Sequence, residues 1–173
     1  MQRVAVVGSS GSGKTTVASA IAAALSIPHL ELDSVFHQPN WRELPSDVFQ
    51  DTVRSFTDRD SWIIDGNYMR HGIADIVWPR ADTIVWLDLS RSQTMRRIVP
   101  RTLRRIARSE ELWNGNCERW TKLVDPRPEE NVILWAWTRH PQSAESTQPG
   151  SPPPGGLTSR WSACGHGPRS TSS

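Results

Sequence analysis

Gly8-Ser9-Ser10-Gly11-Ser12-Gly13-Lys14-Thr15 satisfies the phosphate-loop pattern G-x-x-x-x-G-K-[ST] in full. The apolar run Val4-Ala5-Val6-Val7 precedes it, and the helix-forming stretch Thr16-Val17-Ala18-Ser19-Ala20-Ile21-Ala22-Ala23-Ala24-Leu25 follows. A glycine-rich string alone can be an ordinary loop, but a strand before it and a helix after it supply the context that phosphate binding requires. Three glycines in six positions let backbone N–H groups turn inward around an anion, and the positive end of the following helix favours the same charge. Lys14 brings a point charge to the terminal phosphates and Thr15 offers a hydroxyl to Mg²⁺. Residues Gly8 to Thr16 are therefore assigned to a nucleoside triphosphate, with ATP and Mg²⁺ as the expected cofactors.

Working outward, strand-like and helix-like segments alternate, which is the pattern of an α/β domain with a parallel sheet flanked by helices. Arg3 to Val7 reads as the first strand and the helix after the loop ends near Leu25 and Ser26, with Pro28 beyond it. His29-Leu30-Glu31-Leu32 reads as a short second strand ending at Asp33. Pro45-Ser46-Asp47 starts a helix through about Thr57, with Asp47 and Asp51 near its positive end. Trp62-Ile63-Ile64 is a third strand ending at Asp65-Gly66, and Thr83-Ile84-Val85-Trp86-Leu87 a fourth ending at Asp88. A basic helix runs from Ser92 to about Arg108, with Pro100 expected to kink or divide it. Glu110 to Asn116 reads as a short helix closing at Gly115. Val132 to Trp137 fits either strand or helix, and helix is favoured because Pro128-Glu129-Glu130 in front of it is a typical first turn.

The chain has 173 residues, room for one domain with a single core. Its 20 basic and 18 acidic side chains give a net charge of +2, no global case for nucleic acid. Distribution matters more: between Arg91 and Arg108 there are seven arginines and no acid, a local anion-binding surface. Cys117 and Cys164 stand far apart, which argues against a disulfide framework or zinc site and suits a reducing cytoplasm. No apolar run approaches the ~20 residues that span a bilayer, so no membrane partner is expected. Composition changes at Pro141. The 33 residues from there to Ser173 hold 6 Pro, 5 Gly and 8 Ser, with Leu157 the sole large aliphatic residue. Residues 1–140 are expected to fold as the phosphate-loop domain and 141–173 to form a disordered tail.

Several phosphate-loop branches are excluded by what the sequence lacks. It has no Asn/Thr-Lys-x-Asp motif of a GTPase and no Ser-Gly-Gly signature of a transporter ATPase, and a hexameric ATPase needs more chain. A compact small-molecule or nucleotide kinase remains. The motifs Val6 to Thr16, Glu31-Leu32-Asp33, Asp65-Gly66-Asn67-Tyr68, Ile76 to Asp82, Val85 to Leu89, Glu111 to Asn116 and Leu134 to Trp137 occur in order along the chain. In this it resembles the adenylate-kinase-like bacterial proteins often called DNA topology modulation (FlaR-related) proteins, over roughly residues 1 to 140. The resemblance implies a P-loop kinase fold with five parallel strands in the order 2-3-1-4-5. It also implies a defect: relatives complete the sheet with a last strand beside the fourth, whereas this chain has a Pro/Gly/Ser tail there, so the sheet is expected to lack its last strand.

Asp33, Asp65 and Asp88 close three successive strands and so share the sheet edge where ligands of open α/β sheets bind. Such acids hold Mg²⁺, orient an acceptor hydroxyl or act as its base, or else merely cap the next element. Asp33 and Asp65 are taken as catalytic, and Asp88 with Thr15 as the metal residues. Arg97-Ile98-Val99-Pro100-Arg101 resembles the Arg-Ile-Val-Gly-Arg stretch of adenylate kinases, which implies that Arg97 and Arg101 reach donor phosphates and base; Pro100 stands where the kinases have Gly. Arg104, Arg105 and Arg108 either extend that surface or form a solvated face. His37, Trp41, Arg42, Asn67, Tyr68 and Arg70 are candidates for an acceptor pocket, with Trp41 either stacking on a ring or serving the core. The expected activity is ATP-dependent phosphotransfer to a nucleotide or other small acceptor. The alternatives are a nucleotide-binding regulator that meets DNA through the arginine helix, and a catalytically impaired remnant with an unpaired strand edge and exposed Trp135 and Trp137.

Overall fold

A computed structural model describes residues 1–68, 71–128 and 131–138, together with the backbone of 160–163. Its centre is a five-stranded parallel sheet in the order β2-β5-β1-β6-β7, formed by β1 (Arg3–Gly8), β2 (His29–Glu31), β5 (Trp62–Asp65), β6 (Thr83–Leu87) and β7 (Arg160–Ala163). A two-stranded antiparallel ribbon, β3 (His37–Gln38) with β4 (Arg42–Glu43), stands apart from it.

The central strands are nearly continuous apolar runs because both faces of a parallel sheet are covered. All four residues of β5 are buried, as are the last five of β1. Successive side chains alternate between faces. Ala5, Val7, Trp62, Ile64, Ile84 and Trp86 join one core with Phe36, Phe49 and Val53. Val4, Val6, Ile63 and Leu87 join a second core with Ala18 of α1 (Lys14–Leu25). The helix α3 (Ser46–Thr57) buries Phe49, Val53 and Thr57, one residue per turn, and leaves its polar face outward.

The helix α5 (Arg91–Arg108) buries Thr94, Ile98, Thr102 and Ile106 in a single stripe. Its start is a capping box: Ser90 Oγ accepts from the Gln93 backbone N–H and Gln93 Oε1 accepts from the Ser90 backbone N–H. The expected division at Pro100 does not occur, and the helix runs through it. Pro100 and Arg96 lie on the exposed side, where water can serve the carbonyl that the missing N–H leaves unpaired.

Three further expectations are corrected. The second strand stops at Glu31, and Leu32 opens a short helix α2 (Leu32–Phe36), so Asp33 sits in a first helical turn. Glu110 to Asn116 is not a helix: Glu111 pairs with Cys117 in an antiparallel bridge across a 3-10 turn at Trp113–Gly115. The sheet does not lack its last strand, because β7 pairs with β6 from Thr83↔Arg160 to Trp86↔Ala163 and covers the edge expected to be open. An edge strand is held by main-chain hydrogen bonds, so scarcity of aliphatic residues did not exclude it. Residues 141–159 and 164–173 lie outside the described residues. The short helices α4 (Ile73–Val77), α6 (Trp120–Leu123) and α7 (residues 132–138) complete the chain, the last as read from the sequence.

Candidate nucleotide and acceptor site

The phosphate loop links β1 to α1 at the C-terminal edge of the sheet. Gly8 has φ +149°, and a Cβ there would lie 2.7 Å from the Leu87 carbonyl oxygen of β6. Glycine is needed for both reasons. Gly13, at φ +94°, sits at the N-cap of α1, with Arg97 Nη1 3.8 Å from where a Cβ would be. The loop closes on itself as the Ser12 N–H donates to Ser9 O at 3.1 Å, and Lys14 Nζ donates to the same oxygen at 3.1 Å. Burial draws the Lys14 ammonium below its ordinary value, against the opposing pull of Asp33 and Asp65.

Two neighbours brace the loop. Asn67 bonds both polar groups of Gly8, accepting from its N–H at 3.2 Å and donating to its carbonyl at 2.6 Å. From the other side, α5 contributes Thr94, whose hydroxyl meets Ser9 Oγ at 3.3 Å, and Arg97, whose Nη1 donates to Ser12 O at 3.1 Å. Arg101 follows one turn later. Its Nε is buried without a hydrogen-bond partner, and burial together with Arg105 lowers its guanidinium from the ordinary value. It is close enough to Lys14 and Asp33 to feel both charges.

The Thr15 hydroxyl faces two carboxylates, Asp65 Oδ2 at 2.7 Å and Glu31 Oε1 at 3.0 Å. Strand register puts them together, since Glu31 of β2 is paired with Asp65 of β5. Asp65 is 2% exposed and its other oxygen meets His29 Nε2 at 2.7 Å. Burial raises the Glu31 carboxyl above its usual range, opposed by a hydrogen bond with Trp113. Asp88 lies one residue past β6 and is exposed. Among the described residues no group of three or more His, Cys, Asp or Glu forms a self-sufficient metal cluster.

The residues expected to line an acceptor pocket come from distant pieces of the chain. Asp33 Oδ1 accepts from Tyr68 Oη at 2.6 Å. The turn at Trp113–Gly115 is fastened to the β2–β4 segment: Asn114 Nδ2 donates to Ser34 O and His37 O, Asn116 Nδ2 donates to Gln38 O, and Asn116 Oδ1 accepts from the Trp41 N–H. Trp113 stacks on His37 at 5.8 Å and Trp41 meets the His37 ring edge-on at 5.3 Å. Trp41 is thus one wall of an aromatic corner and lies in neither core. Arg42 is exposed, and Arg70 lies outside the described residues.

The structure brings Lys14, Thr15, Asp33, Asp65, Arg97 and Arg101 to one edge of the sheet. The sequence reading gave no role to Glu31, His29, Thr94, Trp113, Asn114 or Asn116. For Glu31 a signal was present, because it ends a strand beside Asp65; the asparagines act through main-chain groups some 75 to 80 residues away and leave no local pattern. The arginine surface is partly neutralised, with Arg104 Nε 3.3 Å from Glu110 Oε1 and Arg105 Nη1 3.3 Å from Glu118 Oε1.

A parallel sheet in this order, with a glycine-rich loop between β1 and α1 and helices on both faces, is a P-loop kinase fold. A gluconokinase from Sinorhizobium meliloti matches it with a TM-score of 0.52 at 21% identity, over 94% of this chain and 81% of that one. A shikimate kinase from Bacteroides thetaiotaomicron matches with a TM-score of 0.51 at 16% identity, over 85% and 84% of the two chains. A shikimate kinase from Acinetobacter baumannii in complex with shikimate gives 0.51 at 16% identity, over 84% and 79%. No protein-family model and no curated protein matches the sequence. No helix among the described residues is long and apolar enough to cross a membrane.

Proposed function

We propose that this chain is an ATP-dependent phosphotransferase acting on a nucleotide or another small acceptor, akin to the topology modulation proteins that its motifs resemble. The observation that carries the reading is the convergence of Lys14, Thr15, Asp65, Arg97 and Arg101 on one phosphate loop. The residues fit the triphosphate: Gly8, Gly11 and Gly13 hold the positive φ values that a loop turning its N–H groups around an anion needs, and the buried Arg101 Nε is an unspent donor. They also fit Mg²⁺, which takes oxygen ligands and keeps several waters. Thr15 would hold it directly, with Asp65 and Asp88 reached through water, and the ion would neutralise charge on the transferring phosphate.

Transfer to a hydroxyl forms one oxygen–phosphorus bond and breaks the bond from the γ-phosphorus to its bridging oxygen. The diphosphate leaves with that electron pair and the acceptor releases a proton. Asp33, partly exposed beside the loop, takes the proton and passes it to water, while Lys14, Arg97 and Arg101 balance the phosphate charge.

Calorimetry with Mg-ATP tests this. The wild type binds, and Lys14→Ala, still folded by circular dichroism, loses at least about a hundredfold in affinity. Gluconate, shikimate and nucleoside monophosphates are then offered as acceptors. A folded wild type that binds no Mg-ATP would refute the proposal.

A further inference from the structure

Tyr68 makes a connection that core packing does not require. Its ring lies 4.7 Å from Phe36 and 5.2 Å from Phe49, a place that phenylalanine would fill equally well. The hydroxyl does something more. It donates to Asp33 Oδ1 at 2.6 Å, and His37 Nε2 lies 3.4 Å from it on the other side. A phenol has one proton, and the short contact to a carboxylate takes it. His37 must therefore present N–H to the phenol oxygen. Burial lowers the His37 imidazole below its ordinary value and so favours the neutral ring. That tautomer leaves Nδ1 a bare acceptor, and Nδ1 is indeed buried without a partner.

The chain of bonds thus runs from His37 to Tyr68 to Asp33. It starts at the fastened turn, where Asn114 Nδ2 donates to His37 O at 2.7 Å and Trp113 stacks on the imidazole. It ends on a carboxylate whose second oxygen, Oδ2, has no hydrogen bond among the described residues. Asp33 itself is partly exposed at the mouth of the site.

We propose that Tyr68 is a positioning residue for phosphoryl transfer: it occupies Oδ1 of Asp33 so that Oδ2 alone meets the acceptor hydroxyl, and through His37 it ties that orientation to the seating of residues 111–117. The role of Asp33 rests on the kinase reading, whereas the Tyr68–Asp33 bond does not. The bond restricts the carboxylate and leaves Oδ2 without a hydrogen bond among the described residues, which is the preorganisation that proton transfer to a fixed group demands.

Tyr68 is the sole tyrosine of the chain, so tyrosinate absorbance reports on it alone. Burial and then Asp33, Glu31 and Glu43 hold the phenol far above its ordinary value, and the rings of His37 and His71 face it. In the folded wild type no tyrosinate forms near pH ~10, where free tyrosine titrates. In Asp33→Asn, folded by circular dichroism, the ultraviolet resonance Raman doublet of this tyrosine moves from that of a strong hydrogen-bond donor to that of a weaker one. The second arm is Tyr68→Phe, with water as acceptor and Mg-ATP hydrolysis as the reaction. Its kcat falls roughly tenfold while KM and calorimetric affinity for Mg-ATP stay within about twofold. The fall in kcat at unchanged KM is a split that mere loosening of the core would not produce.

A phenol that titrates like free tyrosine in the folded protein, or whose Raman doublet ignores Asp33→Asn, would overturn the bond. An unchanged kcat in Tyr68→Phe, or a kcat that falls only together with Mg-ATP affinity, would overturn the positioning role. A wild type that neither binds nor hydrolyses Mg-ATP overturns the kinase reading and the role with it, while the titration and the Raman doublet still decide the bond.

Discussion

The two sides of this site are built differently. On the proposed donor side the loop from Gly8 to Thr15 takes its turn from its own glycines and the helix that follows it, and Asn67, Thr94 and Arg97 brace it from outside. On the acceptor side Asp33, His37, Trp41, Trp113 and Asn116 come from segments far apart in sequence, and hydrogen bonds to main-chain groups hold them together. Local geometry makes the donor side rigid and readable. Assembly over a distance makes the acceptor side tunable, because the turn at 113–115 reaches the loop indirectly, through Trp113 and the Glu31 carboxylate that faces Thr15.

The largest effect is expected where the donor loop meets the sheet. Gly8→Ala puts a Cβ 2.7 Å from a backbone oxygen that cannot move aside and forces an alanine to φ +149°. It costs about 3 kcal/mol of stability and removes Mg-ATP binding together with it, read by urea denaturation and calorimetry. If the fold tolerates alanine there and still binds, the donor side is not the rigid partner.

Asn116→Ala should separate the two sides. Asn116 is 4% exposed and satisfies the Trp41 N–H and the Gln38 carbonyl. Removing its amide leaves the Trp41 N–H unpaired and takes one bond from the Gln38 carbonyl, which still faces Arg42 across the ribbon, a loss of about 2 kcal/mol that falls on the acceptor side. Amide exchange quickens at 111–117 and 37–43, while Mg-ATP affinity stays within about twofold of wild type. Equal loss of Mg-ATP binding would show that the two sides are one unit.

The same division explains what the sequence disclosed. The phosphate loop, β1, β5, β6 and α3 were legible because each is specified by its own residues: a glycine pattern, buried apolar runs, an i, i+4 stripe. The edge strand β7 was not, because pairing with β6 asks little of its side chains. Pro100 misled in the opposite direction, since its local preference was overridden by the buried stripe of Thr94, Ile98, Thr102 and Ile106 on either side. The loop motif singled out Lys14 and Thr15, a strand end Asp65, and a resemblance to adenylate kinases Arg97, and the four lie at one edge of the sheet. Nothing local marks Asn114 or Asn116 as the residues that fasten the turn.

Acid should loosen the acceptor side first. Burial lowers His37 below its ordinary value, opposed by Asp33 and Glu43. The unfolded chain therefore binds more protons than the folded one from the usual histidine value of about 6.5 downward, so stability falls as pH drops through that range and is unaffected above it. His37→Gln removes this slope. Between pH 7 and 5 the wild type loses on the order of 2 °C more in Tm than the variant, by differential scanning calorimetry. Parallel curves would mean that His37 takes up its proton in the fold as freely as in water.

The smallest effect is expected from the ion pairs that flank the same turn. Arg104 Nε reaches Glu110 at 3.3 Å, but the arginine is 58% exposed and the glutamate 32%. Water and salt screen such a pair, and ordering two long side chains offsets much of its Coulomb gain, so Arg104→Ala shifts stability by less than about 0.5 kcal/mol. The contrast with Asn116 is the point of the experiment. Both residues tie the 110–117 segment to its surroundings, one by charge at the surface and one by buried hydrogen bonds to main chain. If Arg104→Ala releases the turn as far as Asn116→Ala does, judged by amide exchange at 111–117, then surface charge holds the acceptor side and its stability should fall with added salt. If it does not, the turn is held by the amides of Asn114 and Asn116, and the acceptor side keeps its shape at any ionic strength.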